Sequence, residues 1–223
     1  MKGKASNSSS PKKRVLIVDD HPMMRDGLRQ LIAYEADIEV CAEADTIPEA
    51  LNAADKHKPD LAIVDISLKG GNGLELIKDL QIRHPEVSVI VISMHDESLY
   101  AERVLRAGGR GYIMKQEGGK RIIEGIRQVI SGRTFVSDAV SARIIDAFSG
   151  HGKSGQPSVE LLTDREFEIF QLIGQGLTTK VMAEKLHVSV KTVEVHRVNI
   201  KEKLNLPTAT DLIRFAVRWV ESR

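Results

Sequence analysis

The sequence predicts an α/β protein, a doubly wound parallel sheet of five strands, followed by a second, all-α domain. Three observations carry this. Short apolar runs end on polar residues, the runs alternate with helical patterns as far as Gly132, and beyond Gly132 the alternation stops. The chain has 223 residues, enough for two domains, with 28% charged residues and a formal net charge of +1. That is a soluble composition whose overall charge points to no partner.

The first apolar run, residues 14–18, stops at Asp19-Asp20. His21-Pro22 then opens a helix with Pro22 near its first position and Met24, Leu28, Leu31 and Ile32 on one face. Residues 38–43 read as the second strand, with Cys41 packed in it; a single cysteine permits no intramolecular disulfide. Thr46, with Pro48 and Glu49 behind it, is a capping box opening a helix through Leu51 and Ala54. Residues 61–64 form a buried third strand that ends on Asp65, bounded by Pro59 and by Gly70, Gly71 and Gly73. Residues 87–92 stop at Ser93, and residues 111–114 stop at Lys115. Leu74, Ile77 and Leu80, then Ala101, Val104 and Leu105, then Ile122, Ile126 and Val129 face inward on the three remaining helices of this half.

In an open parallel sheet, ligands bind at the carboxyl edge beside the switch in strand order. Asp19, Asp20, Asp65, the Ser93 hydroxyl and the Lys115 ammonium therefore meet there. Alone, an acid at a strand end is a turn or capping residue; the convergence makes it a site. Three crowded carboxylates repel one another and call for a cation. All-oxygen ligands point to Mg2+ rather than zinc, and no C-x-x-C or H-E-x-x-H spacing occurs. Residues 1–13 are basic and serine-rich without an apolar centre, which reads as a disordered tail and not a secretory signal. No run reaches membrane-spanning length, and the expected location is cytoplasmic.

Asp19-Asp20, Asp65, Ser93 and Tyr112-Ile-Met-Lys115 resemble the receiver domain of bacterial two-component response regulators. The resemblance implies a flavodoxin-like receiver over residues 14–134, phosphorylated on Asp65 by a sensor histidine kinase. It implies magnesium held by Asp20, Asp65 and the backbone carbonyl of Ser67, and by Asp19 through water. Lys115 would neutralise the phosphoryl group. Ser93 would bond a phosphoryl oxygen only when phosphate is present, and Tyr112 would fill the space behind it. His21 and His95 are expected to be surface or loop histidines. Lys69 departs from the family pattern, and Lys69-Gly70-Gly71 predicts a mobile loop after Asp65. Ser67 stands where aspartate-based phosphohydrolases carry a second aspartate, which argues against an enzyme. A pseudo-receiver regulator that ignores phosphate is the alternative, disfavoured by the presence of Asp19, Asp20, Asp65 and Lys115.

Ser137 caps a helix carrying Val140, Ile144, Ile145 and Phe148, and residues 149–157 are a Gly/Ser-rich flexible linker, so residues 135–157 connect two domains. Within residues 158–223, Thr163 and Glu166 form a capping box before Phe167, Ile169, Phe170, Leu172 and Ile173. Residues 177–188 read as a short helix with Val181, Met182 and Leu186 inward. Ser189 caps a helix over residues 190–204, and a last helix carries Leu212, Ile213, Ala216, Val217 and Val220. A short helix, a tight turn and a capped second helix form a helix-turn-helix. Residues 178–203 carry six Lys or Arg against three acids, a balance suited to a phosphate backbone.

Leu162-Thr-Asp-Arg-Glu166, Gly176-Leu-Thr-Thr-Lys180, Ala183-Glu-Lys-Leu186 and Ser189-Val-Lys-Thr-Val-Glu-Val-His196 resemble the LuxR-type DNA-binding domain. Behind a receiver, this is the arrangement of NarL/FixJ-type response regulators. It implies double-stranded DNA as partner and a homodimer when phosphorylated, with RNA polymerase a further candidate. On the recognition helix, Val193, Ile200 and Leu204 face the core. Lys191, Thr192, Glu194, Val195 and Val198 are expected to read bases, and Lys180, His196, Arg197, Asn199 and Lys203 to hold phosphates. Leu212, Ala216 and Val220 either form a self-complementary pairing stripe or cover their own core.

Overall fold

The apolar strands pair in parallel in the order β2-β1-β3-β6-β7, with β1 at Lys13–Val18, β2 at Ile38–Ala44, β3 at Leu61–Val64, β6 at Ser88–Ser93 and β7 at Gly111–Met114. The structure is a computed structural model that describes residues 11–148 and 159–221. Most of the expected N-terminal tail and the whole expected linker at residues 149–157 lie outside the described residues. β3 is apolar throughout, as are residues 15–18 of β1 and 89–92 of β6, because helices cover both faces of the sheet. α1 (Pro22–Ala33) and α5 (Gly119–Ile130) pack on one face through Leu28, Ile32, Ile122, Ile126 and Val129. α2 (Ile47–His57), α3 (Gly73–Arg83) and α4 (Glu97–Ala107) cover the other through Ala50, Ala54, Leu74, Ile77, Tyr100 and Val104. Strand order reverses beside β1 and β3, so a crevice opens at their carboxyl ends. Cys41 is half-buried on β2, and burial raises its thiol pKa.

The loop expected to be mobile is instead a small hairpin: β4 (Ser67–Leu68) pairs antiparallel with β5 (Gly71–Asn72). Lys69 and Gly70 form its two-residue turn, and Gly70 takes a φ of 76° that suits glycine. Leu68 and Asn72 are buried as a result. Asn72 caps α3, its Oδ1 accepting from Leu74 N at 2.8 Å. Gly73 N donates to Ile66 O at 2.7 Å, and a Cβ at Gly73 would collide with the Asp65 carbonyl. The main chain at Asp65 is thus locked against the start of α3.

α6 (Asp138–Phe148) lies on α4, with Arg143 Nη1 donating to Ser98 O at 2.7 Å. After a 3-10 turn at Val159–Leu161 come α7 (Asp164–Gly174), α8 (Thr179–Lys185), α9 (Val190–Lys203) and α10 (Ala209–Glu221). Phe167, Phe170, Met182, Val193, Ile200, Leu212 and Ala216 form the core of this bundle. The capping box at Thr163 and Glu166 is present, and Ser189 caps α9 by accepting from Thr192 N. Thr46 makes no such cap: Pro48 offers it no N–H, and Glu49 accepts from Asp45 N at 3.3 Å instead. Val181, expected inward, is exposed, as are Ile145 and Ile213, because these helices present narrower apolar stripes than their sequences suggest. Leu212 and Ala216 are wholly buried under their own domain, which leaves no pairing stripe built on them. Among the described residues no helix is long and apolar enough to cross a membrane.

The bundle is docked on the sheet domain. Asn72 Nδ2 donates to Glu168 Oε2 at 3.2 Å, and Tyr100 OH donates to Gln171 Oε1 at 2.7 Å. Lys78 Nζ meets Asp164 Oδ2 at 2.7 Å. Arg103 stacks 3.9 Å over the Phe167 ring and donates to Asp164 Oδ1, Leu162 O and Val159 O at 3.2, 3.0 and 2.8 Å. One apolar cluster runs from β1, β3 and β6 through Tyr100 into Phe167 and Phe170. Replacing Gly73 by alanine is expected to cost about 1–3 kcal/mol, the range for overpacking, because backbone and not a flexible side chain must give way. Urea unfolding would measure it, with Gly118→Ala, where a Cβ meets nothing within 4 Å, as the near-neutral comparison.

Candidate phosphoacceptor site and DNA interface

Four strand ends meet in the crevice. Asp19 and Asp65 are only 2% and 3% exposed, so their charges need partners. Lys115 Nζ supplies one to both, at 2.7 Å from Asp19 Oδ2 and 2.6 Å from Asp65 Oδ2. The other Asp65 oxygen accepts from Ser93 Oγ and from Ile66 N, each at 2.7 Å. Ser93 was expected to bond a phosphoryl oxygen only when phosphate is present; its hydroxyl already reaches the bare carboxylate. Burial, then repulsion from Asp65, raises the Asp19 pKa against the pull of Lys115. For Lys115, burial favours the neutral amine, but Asp65 and Asp19 outweigh it and hold the pKa above its ordinary value.

Asp19, Asp20, His21 and Asp65 each place one ligand atom within 4.8 Å of the others. Asp20 Oδ1 is buried without a hydrogen bond; His21 Nδ1 stands 2.7 Å from it but not in hydrogen-bonding geometry. An orphaned carboxylate oxygen beside two more carboxylates fits a hard divalent cation. His21 is largely exposed, as expected of a surface histidine, yet it also touches Asp19 Oδ1 at 3.2 Å.

Sequence reasoning missed a second layer. His95 lies in the loop after β6, but its ring is engaged: Nε2 is 2.9 Å from Ser67 Oγ, and the ring centroid is 4.7 Å from that of Tyr100. Burial lowers the His95 pKa and favours its neutral form. Tyr112 is buried, and its OH donates to His95 O at 2.8 Å. Burial raises both phenol pKa values. Above Asp65 opens a cavity of about 490 Å³ whose far wall is the helical domain, through Arg165, Glu168, Lys185 and His187. The only sequence signal for this was the polar residues Asn72, Tyr100 and Arg103 on otherwise ordinary elements.

On α9, Val193 and Ile200 are buried, as is Leu204 just beyond it. Lys191, Glu194, Val195 and Val198 face solvent, with Val195 51% and Val198 48% exposed. Thr192 is half-buried, its hydroxyl 2.7 Å from Ser189 Oγ. Lys180 is exposed and Asn199 half-buried. Arg197 Nη1 donates to Thr179 Oγ1 at 3.0 Å, which fixes it near the start of α8. His196 is half-buried, with Nδ1 buried and unpartnered, and burial lowers its pKa. Lys203 departs from its expected phosphate role: Nζ donates to Glu166 Oε2 at 2.6 Å. A buried carboxylate in a capping box demands a counterion more strongly than solvent does.

A doubly wound domain whose strand ends gather three aspartates, a hydroxyl and a lysine, joined to a helix-turn-helix, is the arrangement of a signal-receiver module coupled to a DNA-binding domain. The response regulator receiver domain matches residues 15–127, and the bacterial regulatory proteins of the luxR family match residues 160–216. The chain belongs to the family of NarL/FixJ-type response regulators, DNA-binding transcriptional regulators of two-component systems and not enzymes. It is 34% identical over 210 residues to the oxygen regulatory protein NreC of Staphylococcus haemolyticus, covering 92% of this chain and 97% of that one. It is 31% identical over 226 residues to the transcriptional regulatory protein DegU of Brevibacillus brevis, covering 94% and 96%. The RcsB response regulator of Salmonella typhimurium shares the fold at TM-score 0.64 and 23% identity, covering 93% of this chain and 98% of that one.

For Glu166, burial favours protonation, but Lys203 and the Thr163 N–H more than offset it and lower the pKa from 4.5. A depressed carboxylate stabilises the fold above its unfolded pKa and loses that contribution as pH falls through the folded value. The helical domain should therefore lose stability as pH falls below 4.5. Lys203→Met removes the main group that lowers the Glu166 pKa against burial, so it should reduce stability at neutral pH and shrink the loss on acidification, measured by urea midpoints from the helical circular dichroism signal at neutral and acid pH.

Proposed function

We propose that Asp65 accepts a phosphoryl group from a sensor histidine kinase, and that this controls DNA binding by changing how the helical domain docks. The carrying observation is the Lys115 ammonium shared by Asp19 and Asp65, with Ser93 on the opposite carboxylate oxygen. An Asp65 oxygen attacks phosphorus, the acyl phosphate bond forms, and the P–N bond to the donor imidazole breaks with its electron pair leaving on nitrogen. Lys115 and Ser93 then meet the charge spread over the phosphoryl oxygens. Mg2+ held by Asp20, Asp65 and the Ser67 carbonyl, and by Asp19 through water, would neutralise further charge there. Tyr112 backs the Ser93 segment.

Two ties support the coupling. Asn72 closes the hairpin after Asp65, and Tyr100 stacks on His95 two residues after Ser93; each bonds α7. Phosphate on Asp65 disturbs both segments. In the docked form the receiver stands against Lys185 and His187, at the end of the helix that crosses the DNA backbone. Released domains pair as a homodimer on a two-fold operator, with RNA polymerase as a downstream partner in the cytoplasm. Lys191, Thr192, Glu194, Val195 and Val198 read bases, while Lys180, His196, Arg197 and Asn199 hold the backbone. The domain limits at 14–134 and 158–223 follow from this division of labour.

Intact mass after treatment with acetyl phosphate and magnesium should gain one phosphoryl group, absent from Asp65→Asn; an unchanged adduct in that variant, or none in the parent, would reject the assignment. Selection from random duplexes should give Glu194→Ala and Val195→Ala motifs different from the parent. Lys180→Ala should weaken all duplexes alike and reduce the salt slope by about 1.

A further inference from the structure

A separate cavity of about 210 Å³ lies where α3, α4, α6, the 3-10 turn and α10 converge. The phosphoryl-transfer and base-reading residues take no part in it. We propose that it binds a small aromatic carboxylate, and that the bound molecule holds the two domains docked.

The interior is aromatic and aliphatic. Leu99 and Ala107 come from α4 and Val159 from the 3-10 turn, while Phe167 and Trp219 come from the helical domain. The Phe167 and Trp219 rings stand edge to face, centroids 5.6 Å apart. Such walls receive a third ring in offset or edge contact. An engineered apolar cavity of about 150 Å³ holds benzene, so this volume accommodates one ring plus a carboxylate. It is smaller than the roughly 300 Å³ at which drug-sized pockets begin.

The rim is mixed in charge, with one cation in excess. Lys78, Arg103, Arg106 and Arg143 line the cavity against Glu102, Glu160 and Asp164. Arg103 and Lys78 are committed to the domain interface through Asp164 and its neighbours. Arg106 and Arg143 are exposed; Arg106 Nη2 donates to Glu102 Oε1 at 2.6 Å and Arg143 Nη1 to Ser98 O at 2.7 Å. A guanidinium carries five N–H donors, so both retain donors in the fork geometry that grips a carboxylate. A ring inside and a carboxylate at the mouth satisfy both features together.

Because the walls come from both domains, the ligand has its complete site only in the docked arrangement. By linkage, it must then oppose whatever requires undocking, by the same factor in each direction. That second part rests on the reading that the docked form does not bind DNA; the binding itself does not.

Trp219 is the only tryptophan, so its indole N–H gives one resonance. At constant ionic strength, benzoate titrated into the full chain should shift it saturably, with half-saturation on the order of 1 mM. Benzamide, the same ring without the charge, should bind at least about fivefold more weakly, as should benzoate to Arg106→Ala and Arg143→Ala. Both arginines are exposed, so these variants keep the fold. A shift that never saturates, that benzamide reproduces, or that survives in both variants overturns the site. Saturating benzoate should also weaken binding to a selected DNA duplex about tenfold, and Arg143→Ala should need at least about fivefold more benzoate for the same effect. Saturable binding without an effect on DNA would overturn the docking link while leaving the site.

Discussion

One ammonium balances the crevice. Without Lys115, two carboxylates only a few per cent exposed would face each other across the end of the sheet. The sheet order exists, in functional terms, to bring β1, β3 and β7 to that point, since the residues that end them are Asp19, Asp65 and Lys115. Under the proposed function, the same balance would let the site take a divalent cation and a phosphoryl group together. Each new charge enters a cluster that already holds both signs, so little desolvation is left unmatched.

In the proposed coupling, the crevice reaches the helical domain through packed and hydrogen-bonded neighbours. Asp65 to Asn72 to Glu168 is one route; Ser93 to His95 to Tyr100 to Gln171 is the other. Hydrogen bonds of this kind contribute about 0.5–1.5 kcal/mol each. Loss of both would shift the docking equilibrium by roughly one to two decades, short of the about 5.5 kcal/mol needed to run from 1:99 to 99:1. Some DNA binding without phosphate is the natural consequence.

Much of this was legible in the sequence. The alternation of apolar strands with amphipathic helices predicted the five-stranded sheet, because burial on both faces leaves so plain a pattern. The meeting of Asp19, Asp20, Asp65, Ser93 and Lys115 followed from strand ends, whereas the phosphoacceptor role of Asp65 came only with the family resemblance. The hairpin at Ser67–Asn72 was not legible, since two-residue strands have no periodicity and Gly70-Gly71 suggested freedom. Nor was the docked interface: Asn72, Lys78, Tyr100 and Arg103 look like ordinary solvent-facing or core residues until a second domain stands opposite them. The tie of Lys203 to Glu166 was not legible either, because the two are distant in sequence.

Asn72 serves two elements with the two ends of one amide. Its oxygen caps α3 and its nitrogen holds Glu168 of the other domain. An aspartate caps a helix as well as an asparagine does, so exchanging nitrogen for oxygen would leave the helix intact and set two carboxylates against each other across the interface. The grip between the halves therefore turns on the identity of a single atom of one side chain.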